Sequence, residues 1–172
     1  MRQDFLDSSN WYDYYKPISM WQIYNAQDKI GKTLPQSYKT IMLKFNAGTP
    51  NISSFYIAED NSGSSIGAFL SLYGSGRCYM CLPKDTSEFV WAFYNQPEYF
   101  QPGLVPFAKT GGEDYICFDY SKDPNTDNPP VVYVDVGYCC NVYFLSNTFD
   151  EFLDMLHEDE HVQQLVSENL PK

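Results

Sequence analysis

The sequence predicts an α+β fold in a single domain, a mainly antiparallel β-sheet flanked by N-terminal and C-terminal helices. Three observations carry that expectation. Residues 115–120 and 131–136 alternate in polarity as strands do, and the loop between them holds Asp123-Pro124-Asn125 and Pro129-Pro130, which forbid helix. After Pro35, the side chains Tyr38, Ile41, Met42 and Phe45 recur on one helical stripe. Thr148 with Glu151 three residues on forms a capping box ahead of Phe149, Phe152, Leu153 and Leu156. Read along the 172 residues, this places helices in 1–50, the sheet in 51–146 and helices again in 147–172, with one continuous core and no linker.

Taken in order, residues 11–25 concentrate Trp11, Tyr12, Tyr14, Tyr15, Trp21 and Tyr24. Most of these rings are expected in the core, with Tyr12 or Tyr15 as an exposed minority. A helix after Pro17 should turn Ile18, Trp21 and Tyr24 inward and stop near Gly31. A second begins at Pro35, whose fixed φ suits a first turn, and ends at Ala47-Gly48. Phe55 and Ile57, then Ile66, Ala68, Leu70 and Leu72, alternate across an Asn61-Ser62-Gly63 turn and predict two strands. Ser87 can cap a short helix over Glu88 to Tyr94. The proline-rich 97–106 reads as an irregular lead, followed by a Gly111-Gly112 turn that tolerates positive φ. Beyond Leu156 the apolar stripe slips phase, so a break is expected near 157–160, with a further short helix carrying Val162, Leu165 and Val166.

The strand pair sets the candidate site. With Ile116, Phe118 and Tyr120 on one face, the other shows Tyr115, Cys117 and Asp119. Val132, Val134 and Val136 are assigned to the core, leaving Val131, Tyr133 and Asp135 outward. The expected contact face for a protein partner is therefore Tyr115, Asp119, Tyr133 and Asp135, with Glu113 and Asp114 at the turn.

Charge narrows the partner. The net charge is −11, and it is uneven: residues 1–50 hold six Lys/Arg against four Asp/Glu, and 51–172 hold five against eighteen. A segment at −13 repels phosphate backbones, which excludes nucleic acid, and attracts a basic protein. No stretch approaches a membrane span or a signal-peptide core, so no membrane partner and a cytoplasmic location are expected. Five cysteines, two of them adjacent, do not form a secreted disulfide framework.

Chemical motifs are sparse. His157-Glu158-Asp159-Glu160-His161 satisfies H-E-x-x-H, in which two histidines on one helical face hold zinc and the glutamate serves the bound water. The phase slip falls inside it, which leaves a zinc hydrolase only a remote alternative to a charged helix end. Cys78 and Cys81 have metal-ligand spacing, but a structural zinc needs four ligands and no second C-x-x-C exists. Asp119 and Asp135 would stand roughly 13 Å apart along the paired strands, too far for carboxylates that must lie about 5 Å apart to share a glycoside reaction. No catalytic residue, metal ligand or cofactor is assigned.

Several short motifs resemble the SUKH superfamily (SMI/KNR-like immunity protein domain). They are Val105-Pro106-Phe107-Ala108, Gly111-Gly112-Glu113-Asp114-Tyr115, Cys117-Phe118-Asp119-Tyr120 and Pro129-Pro130-Val131-Val132, with Leu34-Pro35-Gln36-Ser37-Tyr38-Lys39, Phe45-Asn46-Ala47-Gly48 and Thr148-Phe149-Asp150-Glu151-Phe152-Leu153 on either side. One departure stands out: where the family usually carries one or two Glu before Leu-Pro, this chain has Ala26-Gln27 nearby. The resemblance implies an α+β SUKH-like fold and a non-enzymatic immunity protein that binds and neutralises a cognate toxin. The acidic half suits a basic, nuclease-type toxin, and a monomer is expected. The alternative it implies is an intracellular scaffold of the fungal cell-wall-regulator type.

Overall fold

A computed structural model describes residues 3–73, 87–95, 101–112, 114–137 and 140–169. The Cys78/Cys81 pair lies outside these residues, as does Glu113. Two 3₁₀ turns, Gln3–Leu6 and Ser8–Asn10, lead into a two-residue strand β1 (Trp11–Tyr12). Helices α1 (Met20–Ile30) and α2 (Gln36–Phe45) follow, then β2 (Thr49–Pro50), which pairs with β1. The main sheet is made by β3 (Ser54–Ile57), β4 (Ser62–Phe69), β5 (Leu104–Thr110), β6 (Tyr115–Asp119), β7 (Val131–Asp135) and β8 (Asn141–Ser146). Its strands are antiparallel and lie in chain order, with α3 (Glu88–Asn95) between β4 and β5. Helices α4 (Phe149–Asp154) and α5 (Asp159–Glu168) close the described chain. The protein is therefore an α+β single domain.

The helix boundaries follow local chemistry. Ser19 and Gln22 form a capping box on α1, and Gly31 ends it at φ 65°, a left-handed conformation that glycine takes without a Cβ penalty. Ser87 Oγ accepts from Val90 N at 3.2 Å at the start of α3. Thr148 Oγ1 accepts from Glu151 N at 3.1 Å, while Glu151 Oε2 reaches back to Asn147 N at 3.0 Å, one residue further than a simple capping box. The break between the last helices comes at 155–158. There His157 and Ser54 exchange backbone bonds of 2.8 and 3.1 Å, tying the chain to β3.

Helices α2 and α4 supply rings to the inner face of the sheet. Tyr38 sits edge-on to Phe107, Phe118 and Phe149 at centroid distances of 5.7, 5.2 and 5.4 Å, and Phe107 stacks on Phe118 at 4.2 Å. The Tyr38 hydroxyl is enclosed within this cluster and has no hydrogen-bond partner among the described residues. Enclosing an unsatisfied hydroxyl costs about 1–3 kcal/mol. Tyr38→Phe, which keeps the ring contacts, is accordingly expected to raise unfolding free energy by about 1 kcal/mol in a denaturant titration. A loss of stability would show that the hydroxyl is bonded in solution.

Two sequence expectations are corrected by the packing. In α1 the buried side chains are Ile23, Ala26 and Ile30, so Trp21 and Tyr24 point outward at 70% and 55% exposure. Of the six aromatic residues in 11–25, only Trp11 is buried; Tyr12, Tyr14 and Tyr15 are exposed with Trp21 and Tyr24. Second, the end of the 97–106 stretch is not irregular: residues 104–106 open strand β5, while 97–100 lie outside the described residues. Pro106 is accommodated because β5 bulges between Pro106 and Ala108, where a missing N–H does not interrupt the ladder. The Gly111-Gly112 turn does not use the positive φ it tolerates; among the described glycines that conformation belongs to Gly31 and Gly103.

Candidate functional site

The candidate contact face was built on the pairing of β6 with β7, and the register decides its geometry. Ile116 stands opposite Tyr133, Cys117 opposite Val132, Phe118 opposite Val131 and Tyr115 opposite Val134. Side chains of directly opposed residues share a face. Val131 and Tyr133 therefore join Ile116 and Phe118 in the main core, and Val132 and Val134 lie on the reverse face with Cys117 and Leu104. This inverts the sequence assignment of β7. Tyr115, Asp119, Tyr133 and Asp135 do not form one face: Tyr115 and Asp119 lie on one side of the sheet, Tyr133 and Asp135 on the other.

Each residue then has its own local role. Tyr133 is 7% exposed, its ring packs near Phe55 and Tyr143, and its hydroxyl donates to Asp114 Oδ2 at 2.7 Å. Burial, followed by the Asp114 hydrogen bond, pushes its phenol pKa well up. Asp114 Oδ1 accepts from Val136 N at 3.0 Å, so this carboxylate staples the β5–β6 turn to the end of β7. Tyr115 is half-buried between the two apolar clusters. Asp135 is half-buried opposite Asn141. Cys117 is enclosed, and burial, with a smaller push from Asp119, raises its thiol pKa well above the usual range, which makes it an inert core side chain.

Asp119 opens onto the more promising surface. Its Oδ1 accepts from Ser121 N at 2.8 Å, and Asp123 Oδ1 accepts from Asn125 N at 3.1 Å, fixing the long β6–β7 loop. The loop and β8 enclose a concavity of about 260 Å³ lined by Asp119, Lys122, Asp123, Thr126, Pro130 and Phe144. Phe144 is 47% exposed there. An exposed ring beside two carboxylates suits a docking surface for a cationic protein. Between residues 101 and 169, Lys109 and Lys122 are the basic side chains among the described residues, and Lys109 lies 3.9 Å from Glu88 Oε1. Asp123, Asp127, Glu151, Asp154, Glu158, Asp159, Glu160 and Glu168 are all exposed.

A second surface escaped the sequence reading. Trp21 and Tyr24 project from α1, and Tyr94 of the neighbouring α3, 57% exposed, donates its hydroxyl to the Lys29 carbonyl. The signal that marks it is the aliphatic set Ile23, Ala26 and Ile30, which fixes the buried side of α1 and leaves the aromatics outside. Gln27 Oε1 accepts from Leu34 N at 2.9 Å and so holds the α1–α2 connection.

The metal readings do not gain geometry. His157 lies in the bridge to Ser54 and only His161 is within α5, so H-E-x-x-H straddles a helix start. Their rings are 4.4 Å apart, and the described residues contain no group of three or more His, Cys, Asp or Glu arranged to hold a metal. No described helix is long and apolar enough to cross a membrane. No curated protein matches the chain. Residues 17–155, from the approach to α1 through the end of α4, match the SMI1 / KNR4 family (SUKH-1), and the chain belongs to that family.

Proposed function

We propose that this protein is a non-enzymatic immunity protein that binds and neutralises a cognate toxin, a basic nuclease-type domain. Membership of the SMI1 / KNR4 family (SUKH-1) across residues 17–155 carries the reading, because that family is consistent with immunity function. The charge of residues 51–172, five Lys/Arg against eighteen Asp/Glu, supports the choice of a basic partner. A nuclease presents cationic groups to its substrate's phosphates, and an acidic protein seated on them blocks access without any reaction of its own.

The Asp119–Asp123 loop steers the approach, and Phe144 gives it a nonpolar footing. Trp21, Tyr24 and Tyr94 are suited to serve as anchors at a second contact, since large rings lose little conformational entropy on binding. Asp114 and Tyr133 act mainly by holding the β5–β6 turn in place.

Charge removal without loss of the turn bonds isolates the electrostatic part. In the double variant Asp119→Asn and Asp123→Asn, the amide oxygens can still accept from Ser121 N and Asn125 N. Association with the toxin should slow by roughly three- to tenfold at low salt, with a smaller salt dependence and unchanged unfolding. Stopped-flow binding at two ionic strengths reads this directly. Unchanged association kinetics would remove the loop from the contact.

A further inference from the structure

A groove of about 560 Å³ runs between β4, the β5–β6 turn and α5, and of the expected contact residues it takes in Asp114. Helix α5, which begins at Asp159 and lies outside the matched residues 17–155, makes one wall. The helix is seated closely: a Cβ on Gly63 would come within 2.6 Å of Val162 Cγ1. Val162 is buried against Gly63, and the half-buried Val166 gives that wall its accessible apolar surface, with Asp159 and Gln163 beside it. The opposite wall is Thr110, Gly111 and Gly112, with Asp114 at its end. Among the described residues, no lysine or arginine lines the groove.

The two glycines are not explained by the fold. Neither adopts positive φ, a Cβ on Gly111 would meet nothing within 4 Å, and one on Gly112 would make only ordinary contacts at 3.6 and 3.8 Å. A turn that could carry side chains but does not leaves its backbone bare toward the groove, which is what close approach by a ligand needs. The chemistry of the walls says which ligand. An apolar strip leading to carboxylates fits a long aliphatic stem that ends in a cation. Asp114 has already accepted from Tyr133 and Val136, and Asp159 Oδ2 accepts from Gln163 at 2.6 Å, yet each carboxylate oxygen can accept a further bond.

We propose that this groove receives an arginine side chain of the protein partner, its stem against Val166 and its guanidinium between Asp114 and Asp159, passing close over Gly111 and Gly112. The inference rests on the reading of the protein as a binder of a basic partner. Its test, however, needs no partner. The full chain, labelled with ¹⁵N, is titrated with N-acetyl-arginine-N-methylamide and, separately, with the citrulline analogue, which has the same shape without the charge. Saturable amide shifts at Gly111, Gly112 and Gln163 are expected with arginine and a response roughly tenfold weaker with citrulline.

Asp159→Asn should lose most of the arginine response. Gly111→Ala, whose methyl enters open space, should fold as the parent does and weaken the response by narrowing the groove. Equal titration by both compounds, shifts that map elsewhere, or parent-like binding by both variants would overturn the proposal. If arginine binds here but no toxin is ever retained, the immunity reading fails and the groove stands. The reverse pattern would discard the groove alone.

Discussion

Phe107→Ala should destabilise the protein by about 3–5 kcal/mol, the largest effect expected of any single truncation considered. Phe107 sits at the β5 bulge and is completely buried. It stacks on Phe118 at 4.2 Å and on Phe69 at 5.8 Å, and meets Tyr38, Phe149 and Phe152 edge-on at 5.7, 5.5 and 5.9 Å. These rings come from α2, α4 and three neighbouring strands, so the cavity left by alanine would open at the junction of helix and sheet layers. Rigid rings held from several elements cannot all collapse into it, which puts the site toward the costly end of large-to-small substitutions. Urea unfolding followed by circular dichroism measures the loss. A shift below about 1 kcal/mol would mean that the helices can repack and that this cluster is not the core's centre.

Gly67→Ala is the second. Gly67 lies in β4 where the pairing with β5 shifts between Ile66 and Ala68. A Cβ there would lie 2.5 Å from the Thr110 carbonyl oxygen, 2.7 Å from its carbon and 2.9 Å from Gly111 N. All three atoms are backbone, so no flexible side-chain end can yield. Strands β4 and β5 must move apart, at about 2–3 kcal/mol, in the range of overpacking substitutions. Because the displaced atoms belong to the turn that walls the arginine groove, the ¹⁵N shifts of residues 110–112 should move with the loss of stability. A variant as stable as the parent, with those shifts unchanged, would place the two strands further apart than described.

What could be read from the sequence follows from how local the signal is. The ends of α1, α3 and α4 were legible because Gly31, Ser87 and Thr148 act within one turn of the helix they cap. The α2 stripe was legible because Tyr38, Ile41, Met42 and Phe45 have no competing set. The face of β7 was not. Both sides of the central strands are apolar, with Val132 and Val134 on one and Val131 and Tyr133 on the other, so only register against β6 distinguishes them. Valine looked more like core than tyrosine, yet the Tyr133 hydroxyl finds Asp114 and its ring is buried. The opposite weighting misplaced Trp21 and Tyr24, where aromatics were set in the core and the aliphatic side of α1 was the better guide. Strands β5 and β8 were obscured by Pro106 and by bulges that break a period of two.

For the site, charge and its sign were legible, since composition alone gives the acidic character of residues 51–172. Which carboxylates are committed to the fold was not. Asp114 holds backbone and a phenol, whereas Asp119 and Asp123 hold their own loop and still face outward. That division depends on distances across the sheet that no sequence spacing encodes.

The central claim is that this acidic member of the SMI1 / KNR4 family acts by holding a basic toxin. Affinity capture of the tagged full chain from its source lysate, at low and at moderate salt with retained proteins identified by mass, tests it most directly. The account predicts one stoichiometric, basic toxin domain, retained less as salt rises. Retention of several signalling proteins without a toxin, or of no stoichiometric partner at either salt, would contradict it.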